Sequence, residues 1–300
     1  MNFALLDSIR AADRAVLVTI IGASGHTYQK TGQKALFAPE HIEPVYGNLG
    51  ALCADQEIAR HAARALAAGR PLVTTIDTTR PMDELMGSGT GCGGTLKLLL
   101  EPLGDEQKAI YAALRENLRD GPRVFLVHDL ESGHLRLDAQ QPADSATLHV
   151  ETIDALTPLY LFGATPLTRR VIAIAREMDF VVHLSDWRPA FRDLFEDTED
   201  LEIHTESFDP PANACVVIMS HSFERDLVAL RAAVGAGCRY VGLLSSRSRR
   251  DRMFDRLTGE GVAKDALAGV CCPVGIDIGA RTDSEIAVAI MAEIIGRLRS

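Results

Sequence analysis

The first chemistry-bearing stretch is Gly87-Ser-Gly-Thr-Gly-Cys-Gly-Gly94, with five glycines in eight residues and one thiol, Cys92, between Gly91 and Gly93. Glycine at this density costs backbone entropy, and in return permits positive φ and close approach of a ligand to the main chain. Here Cys92 can touch a ligand, donate to a soft metal, or attack as a thiolate; a hairpin turn carrying a passive cysteine is the plainer alternative. A second stretch, Gly163-Ala-Thr-Pro-Leu-Thr-Arg169, follows an apolar run and leads into a helical pattern. A dinucleotide fold places its phosphate-binding turn at such a point, with a carboxylate about 20 residues on for a ribose, and Asp186 stands near that distance. Only the first glycine of G-x-G-x-x-G survives, and Pro166 removes one N–H donor. The third stretch, Gly242-Leu-Leu-Ser-Ser-Arg247, offers the hydroxyl of Ser245, the Arg247 guanidinium and a helix start, which together can cradle a phosphate. His221, in Ser220-His-Ser222, can donate to an anion or act as an acid or base. Finally, Cys271-Cys-Pro-Val-Gly-Ile-Asp-Ile-Gly-Ala280 is a loop that can close over the same edge.

These residues need elements that bring them together. Leu159–Phe162, Phe180–Leu184, Cys215–Met219 and Arg239–Leu244 are nearly continuous apolar runs, as strands buried on both faces of a parallel sheet are. Pro166–Met178 and Phe223–Val234 carry helical periodicity between them, and Asp283–Arg299 repeats Ile286, Ile290, Ile294 and Leu298 at steps of four. Strand–helix alternation at this pitch predicts a doubly wound, Rossmann-like α/β domain. Gly163, Asp186, His221, Ser245 and Arg247 then fall at the carboxyl ends of its strands, where open α/β sheets bind ligands. The first half reads as a mixed α/β layer. Ala15–Ile21, Lys34–Phe37, Leu72–Ile76, Thr95–Leu100, Arg123–His128 and Thr147–Thr152 are its expected strands, and Asp55–Ala68 and Asp105–Leu118 its helices. The expected division is 1–153 and 154–300.

Composition narrows the partners. Lysine and arginine total 31 against 41 aspartate and glutamate, a formal charge of -10. Such a surface disfavours a phosphodiester backbone, and the short basic cluster Arg247–Arg252 suits one phosphate group rather than a nucleic-acid track. No apolar run approaches the roughly 20 residues of a spanning helix, and the first ten residues lack the basic start of a secretory signal. A cytoplasmic protein with neither nucleic-acid nor membrane partner is expected. The six cysteines, at 53, 92, 215, 238, 271 and 272, form no CxxC pair, which argues against a structural zinc site.

The combination resembles the XdhC/CoxI family, accessory factors of xanthine dehydrogenase and related molybdenum hydroxylases. The resemblance spans essentially the whole chain. It rests chiefly on Gly89-Thr-Gly-Cys-Gly-Gly-Thr-Leu-Lys-Leu-Leu-Leu-Glu-Pro102, Tyr240-Val-Gly-Leu-Leu-Ser-Ser-Arg-Ser-Arg249, and the run from Cys272-Pro-Val-Gly-Ile-Asp-Ile-Gly to Ile295. Gly22–Gly32 is similar to the family's first loop, and Asp186-Trp-Arg-Pro189 is also family-like. Two segments depart. Gly163-Ala-Thr-Pro-Leu167 replaces the family's Gly-Ala-Gly-His-Val, and Gly47–Ala54 is the nearest counterpart of its Ser-Gly-Gly-Cys-Leu-Glu, with Cys53 displaced by one inserted step. The resemblance implies a chaperone, not an enzyme with turnover. Such a protein binds the molybdenum cofactor, as molybdopterin or its cytosine dinucleotide form, and supports its sulfuration by a cysteine desulfurase. It then inserts the cofactor into an apo hydroxylase of xanthine dehydrogenase or aldehyde oxidoreductase type. It further implies a homodimer and a cofactor site drawing on Cys92 as a metal contact, with Gly91, Gly93, Gly94, Gly163, Asp186, His221, Ser245 and Arg247 around it. The competing expectation is an NAD(P)-dependent oxidoreductase using the Rossmann-like domain.

Overall fold

The computed structural model describes residues 1–26, 29–39, 41–49, 52–77, 93–178, 180–195, 197–198, 201–205 and 208–299. They divide into two compact units, Met1–Ala155 and Leu156–Ser300.

In the first unit the order is α1 (Phe3–Ala11), β1 (Val16–His26), β2 (Lys34–Phe37), β3 (Tyr46–Gly47), α2 (Leu52–Ala68), β4 (Leu72–Asp77), β5 (Gly93–Pro102), α3 (Asp105–Asp120), β6 (Val124–Asp129), β7 (Leu135–Asp138) and β8 (Leu148–Ile153). An antiparallel sheet runs β3-β2-β1-β5-β4, and a second, smaller one runs β7-β6-β8. One core forms where α2 lays Ile58, Ala62 and Ala65, spaced at helical turns, onto Val18, Ile20, Leu96, Leu98 and Leu100. β1 continues past the expected Ile21. Gly22–His26 pair with Lys97–Gly93 after a bulge between Ile20 and Gly22, so ladder hydrogen bonds override the turn propensity of this glycine-containing segment.

A chain of buried charges ties the two sheets of this unit together. Lys34 Nζ on β2 donates to Glu151 Oε1 on β8 (2.7 Å) and to Thr19 Oγ1 on β1 (2.9 Å). His128 on β6 bridges two carboxylates, with Nε2 3.1 Å from Glu151 Oε1 and Nδ1 3.4 Å from Glu101 Oε1. Tyr111 on α3 donates its hydroxyl to Glu101 Oε2 (2.7 Å). Burial alone favours neutral His128, yet Glu101 and Glu151 outweigh it and raise the imidazole pKa. Burial likewise opposes ionisation of Glu151, and Lys34 and His128 overcome it, holding the carboxyl well below its usual range.

The second unit contains β9 (Thr157–Phe162), α4 (Pro166–Arg176), β10 (Phe180–Ser185), α5 (Pro189–Arg192), β11 (Leu201–His204), β12 (Cys215–Ile218), α6 (Phe223–Gly235), β13 (Tyr240–Leu243), α7 (Arg247–Gly259), α8 (Lys264–Ala268) and α9 (Asp283–Arg299). Its five strands are all parallel, in the order β11-β10-β9-β12-β13. Alternation along each strand feeds two cores. Leu159, Leu161, Val182, Leu184, Cys215 and Val217 meet α4 and α9, while Phe162, Val216, Ile218, Val241 and Leu243 meet α6 and α7. The sheet is therefore doubly wound. The loop expected to close over the edge instead runs beside β13 in the sixth-strand position. Cys271 N–H donates to Val241 O, Leu243 N–H to Cys271 O, and Val274 N–H to Leu243 O. Gly242 permits this approach, since a Cβ there would lie 2.5 Å from Val274 Cγ2.

Two outcomes follow for the charge chain of the first unit. Lys34→Met leaves Glu151 buried without its ammonium partner and lowers unfolding free energy by about 3–5 kcal/mol in urea titration. The contribution of His128, whose folded pKa is raised, is complete below its unfolded value near ~6.5 and is lost as pH rises through the folded pKa; that of Glu151, depressed in the fold, is lost as pH falls below ~4.5. Stability measured against pH in His128→Gln therefore lacks the wild type's alkaline decline.

Candidate functional site

The strand order reverses between β9 and β12, so the chain leaves their carboxyl ends in opposite directions, which is where open α/β sheets place a ligand crevice. Gly163, the first residue after β9, has φ 111°, and a Cβ on it would lie 2.5 Å from Ser220 Cα and 2.6 Å from Ser220 N. Glycine is required on both counts: the backbone conformation and the contact with the chain leaving β12.

Asp226 organises the β12 side. It is fully buried on α6; its Oδ1 accepts the Ser220 hydroxyl (2.5 Å) and N–H (3.2 Å), and its Oδ2 accepts Arg249 Nη2 from α7 (2.8 Å). Burial raises the Asp226 pKa, against the pull of Ser220 and Arg249. Between these anchors, His221 alone of the described non-glycine residues has positive φ, 62°, and its side chain is exposed. Such strain persists where neighbouring contacts fix the chain, as the two Ser220–Asp226 bonds do here.

Asp186, after β10, is buried and already engaged. Oδ1 accepts the Arg188 N–H (2.8 Å) and Nε (2.9 Å), while Oδ2 accepts Arg188 Nη2 (2.7 Å) and the Ala164 N–H (2.7 Å). Burial opposes its ionisation, but these donors outweigh that and lower its pKa. At the start of α4, Thr165 and Thr168 cap each other, each side-chain oxygen accepting the other's N–H. The amides of Ala164, Thr165 and Thr168, which a dinucleotide pyrophosphate would address, thus have protein partners.

Farther along the same edge, three polar atoms are buried without a hydrogen-bond partner: Ser185 Oγ, Ser245 Oγ and Arg249 Nε. Natural structures leave few such groups unsatisfied without a reason. Ser245 and Arg249 flank the start of α7, whose N-cap Ser246 accepts the Arg249 N–H. Trp187, half-buried, stacks near Phe162 (ring centroids 6.0 Å apart) and carries the guanidinium groups of Arg188 and Arg225 at 4.7 and 5.1 Å from its ring. The edge therefore offers an aromatic plane, several cations and unpaired polar atoms within a chain of net charge -10.

Of the sequence-predicted site residues, Gly163, Asp186, His221, Ser245 and Arg247 lie at this carboxyl edge. Arg247 is exposed and lines a cavity of about 670 Å³ with Cys271, Cys272, Asp277, Glu293 and Arg297. Glu293 holds this region together, its Oε2 accepting Tyr240 OH (2.6 Å) and the Gly275 N–H (2.9 Å). Burial pushes the Cys271 and Cys272 thiols up, so both stay protonated at neutral pH. Gly93 and Gly94 open β5 in the other unit, paired with His26 and Gly25. Cys92 and Gly91 lie outside the described residues, as does the Cys53 side chain. Sequence reasoning passed over Asp226 and Arg225, and treated Arg249 and Trp187 only as parts of a resemblance. The i, i+4 step from Ser222 to Asp226 on a helix start was the available signal for the first.

Comparisons with known proteins agree with this architecture. Two family models match, described as the XdhC Rossmann domain over residues 159–294 and the XdhC and CoxI family over residues 8–77. The chain belongs to the XdhC and CoxI family. A relative across nearly the whole length is a probable xanthine dehydrogenase subunit from Bacillus subtilis (strain 168), 28% identical over 94% of this chain and 93% of that one. The molybdenum cofactor insertion chaperone PaoD of Escherichia coli (strain K12) is 21% identical over 98% of this chain and 86% of its own. A crystal structure of a xanthine dehydrogenase from Bacillus halodurans shares the fold, with TM-score 0.80, 24% identity, and coverage of 100% of this chain and 96% of that one.

The crevice floor is directly testable. Gly163→Ala forces a side chain into the Ser220 backbone at unfavourable φ and costs at least about 2 kcal/mol, read as a lowered Tm. Asp226→Ala leaves Arg249 without its counter-charge and lowers unfolding free energy by about 3 kcal/mol in denaturant titration.

Proposed function

We propose that this chain is a molybdenum cofactor chaperone. It takes the cofactor as cargo at the carboxyl edge of the parallel sheet and delivers it to an apo molybdenum hydroxylase of xanthine dehydrogenase or aldehyde oxidoreductase type. Family membership and the insertion role of the relative PaoD support this reading. The observation that carries it is the set of buried, unpartnered Ser245 Oγ and Arg249 Nε at the same carboxyl edge as the cation-flanked Trp187 plane. A molybdopterin presents a phosphate and a flat polar ring system. The Ser245 hydroxyl and Arg249 are donors of the kind a phosphate accepts from, and Trp187 offers the ring a stacking surface.

In this reading Gly163, in contact with Ser220, forms the floor beneath the cargo, and Asp226 aims Arg249 and the Ser220 turn so that His221 faces the cargo. Asp186 acts indirectly, by fixing Arg188 beside Trp187. Arg247 extends the positive edge toward the neighbouring cavity. Cys92, among the glycines Gly91, Gly93 and Gly94 of the first unit's sequence, is a soft thiolate of the kind a molybdenum ion accepts. Sulfuration by a cysteine desulfurase while the cofactor is held, and function as a homodimer, belong to the same proposal. Nicotinamide chemistry has less support, because the α4 amides and Asp186 are committed to protein partners.

The test is equilibrium binding of the purified full chain to anaerobically prepared molybdenum cofactor, with NADH and NADPH as parallel ligands. Stoichiometric cofactor binding without nicotinamide binding is expected. Ser245→Ala removes a buried hydroxyl that has no protein partner, so its Tm stays level or rises while cofactor affinity falls about 10-fold. Cys92→Ser weakens cofactor binding with the fold intact. Nicotinamide binding without cofactor binding would replace the chaperone reading with an oxidoreductase.

A further inference from the structure

The second unit holds another cluster that the chaperone reading does not use. On β10 and β11, the residues Phe180, Val182, Leu184, Leu201 and Ile203 point into the core beneath α4 and α9. The alternate residues His183, Glu202 and His204 therefore point to the opposite face. β10 and β11 are parallel, with His183 opposite Glu202 and Ser185 opposite His204, so the three side chains meet across one strand pair.

Their polar atoms converge. His183 Nδ1 lies 3.1 Å from Glu202 Oε2 and 3.3 Å from His204 Nε2, and all three ligand atoms lie within 4.8 Å of one another. Around a zinc ion with bonds of about 2.0–2.1 Å, tetrahedral geometry sets neighbouring ligand atoms about 3.3–3.4 Å apart. Two of the three edges already match, and the third closes by rotation of Glu202, whose side chain is 46% exposed. Tyr160 on β9 stacks on the His183 ring, with centroids 4.3 Å apart and planes 10° apart, and so restrains the imidazole. A proton on His183 Nδ1 can serve only one of its two close neighbours at a time. A divalent cation accepts a lone pair from all three.

We propose that His183, Glu202 and His204 form a binding site for a borderline divalent transition metal of the zinc class. Two imidazoles and one carboxylate are its ligands, and water takes the fourth position on the exposed side of Glu202. Imidazole and carboxylate suit zinc, cobalt or nickel rather than calcium or magnesium, which take all-oxygen sets. The site clips β11 to its neighbour. Among the described strands β11 is an edge strand, paired on one side only, and a metal bridging both strands adds a cross-link to its short ladder with β10.

The experiment uses the full chain stripped with chelator and titrated calorimetrically with Zn²⁺ in the presence of a phosphine reductant, alongside His204→Ala and Glu202→Gln. Glu202 is exposed on an edge strand, so Glu202→Gln keeps the fold even if His204→Ala does not. One equivalent binding at micromolar affinity or tighter, and raising Tm, is expected. Each variant weakens that binding by more than about 100-fold, the upper end seen for loss of outer-shell partners. Co²⁺ gives a tetrahedral visible spectrum without a thiolate charge-transfer band. Absence of Zn²⁺ binding, unchanged binding in both variants, or a thiolate band would each overturn the assignment, the last two by moving the metal to the cysteines.

Discussion

The close contact between Gly163 and Ser220 is the constraint on which the second unit depends. In a doubly wound sheet the chain must part company with itself where the strand order reverses, and here that happens between β9 and β12. The two departing backbones approach so closely that no Cβ fits between them. This contact fixes where Ala164 meets Asp186 on one side and where the Ser220 turn meets Asp226 on the other. Both carboxylates then become pegs for an arginine, Arg188 and Arg249 respectively. Each wall of the crevice is thus held by one buried carboxylate, and each brings a cation to the rim.

The arrangement concentrates positive charge in an acidic chain. Arg188, Arg225, Arg247 and Arg249 gather at a single sheet edge while the molecule carries a formal charge of -10. Aspartates buried at this edge position guanidinium groups without using all of their donors, and the buried, unpartnered Nε of Arg249 is the clearest instance. The first unit uses buried charge differently. Its Lys34–Glu151–His128–Glu101 chain joins two sheets through ions that are matched within the protein, which stabilises only while each ion keeps its partner.

The central strands were legible in the sequence because a strand covered on both faces has no polar alternation to disguise it. Cys215–Ile218 and Leu159–Phe162 are of this kind. Edge strand β11 was not legible, because Leu-Glu-Ile-His is short, half polar and bounded by acidic residues. The extension of β1 through Gly22–His26 was hidden by its two glycines, which read as a loop until a partner strand supplies the ladder. Among site residues, glycine and hydroxyl motifs at strand ends were visible through their local spacing. Asp226, Arg249 and Trp187 were not, since their roles arise from contacts between separate elements. The same holds for His183, Glu202 and His204, which no linear motif connects.

Amide hydrogen exchange of the full chain, with and without anaerobically prepared molybdenum cofactor, tests the central claim most directly. If the cargo is held at the carboxyl edge as proposed, protection rises at the amides of His221, Trp187 and Ser245–Ser248, while the already bonded amides of Ala164, Thr165 and Thr168 change little. Bound cofactor that leaves His221, Trp187 and Ser245–Ser248 unchanged would contradict the account and move the cargo elsewhere on the chain.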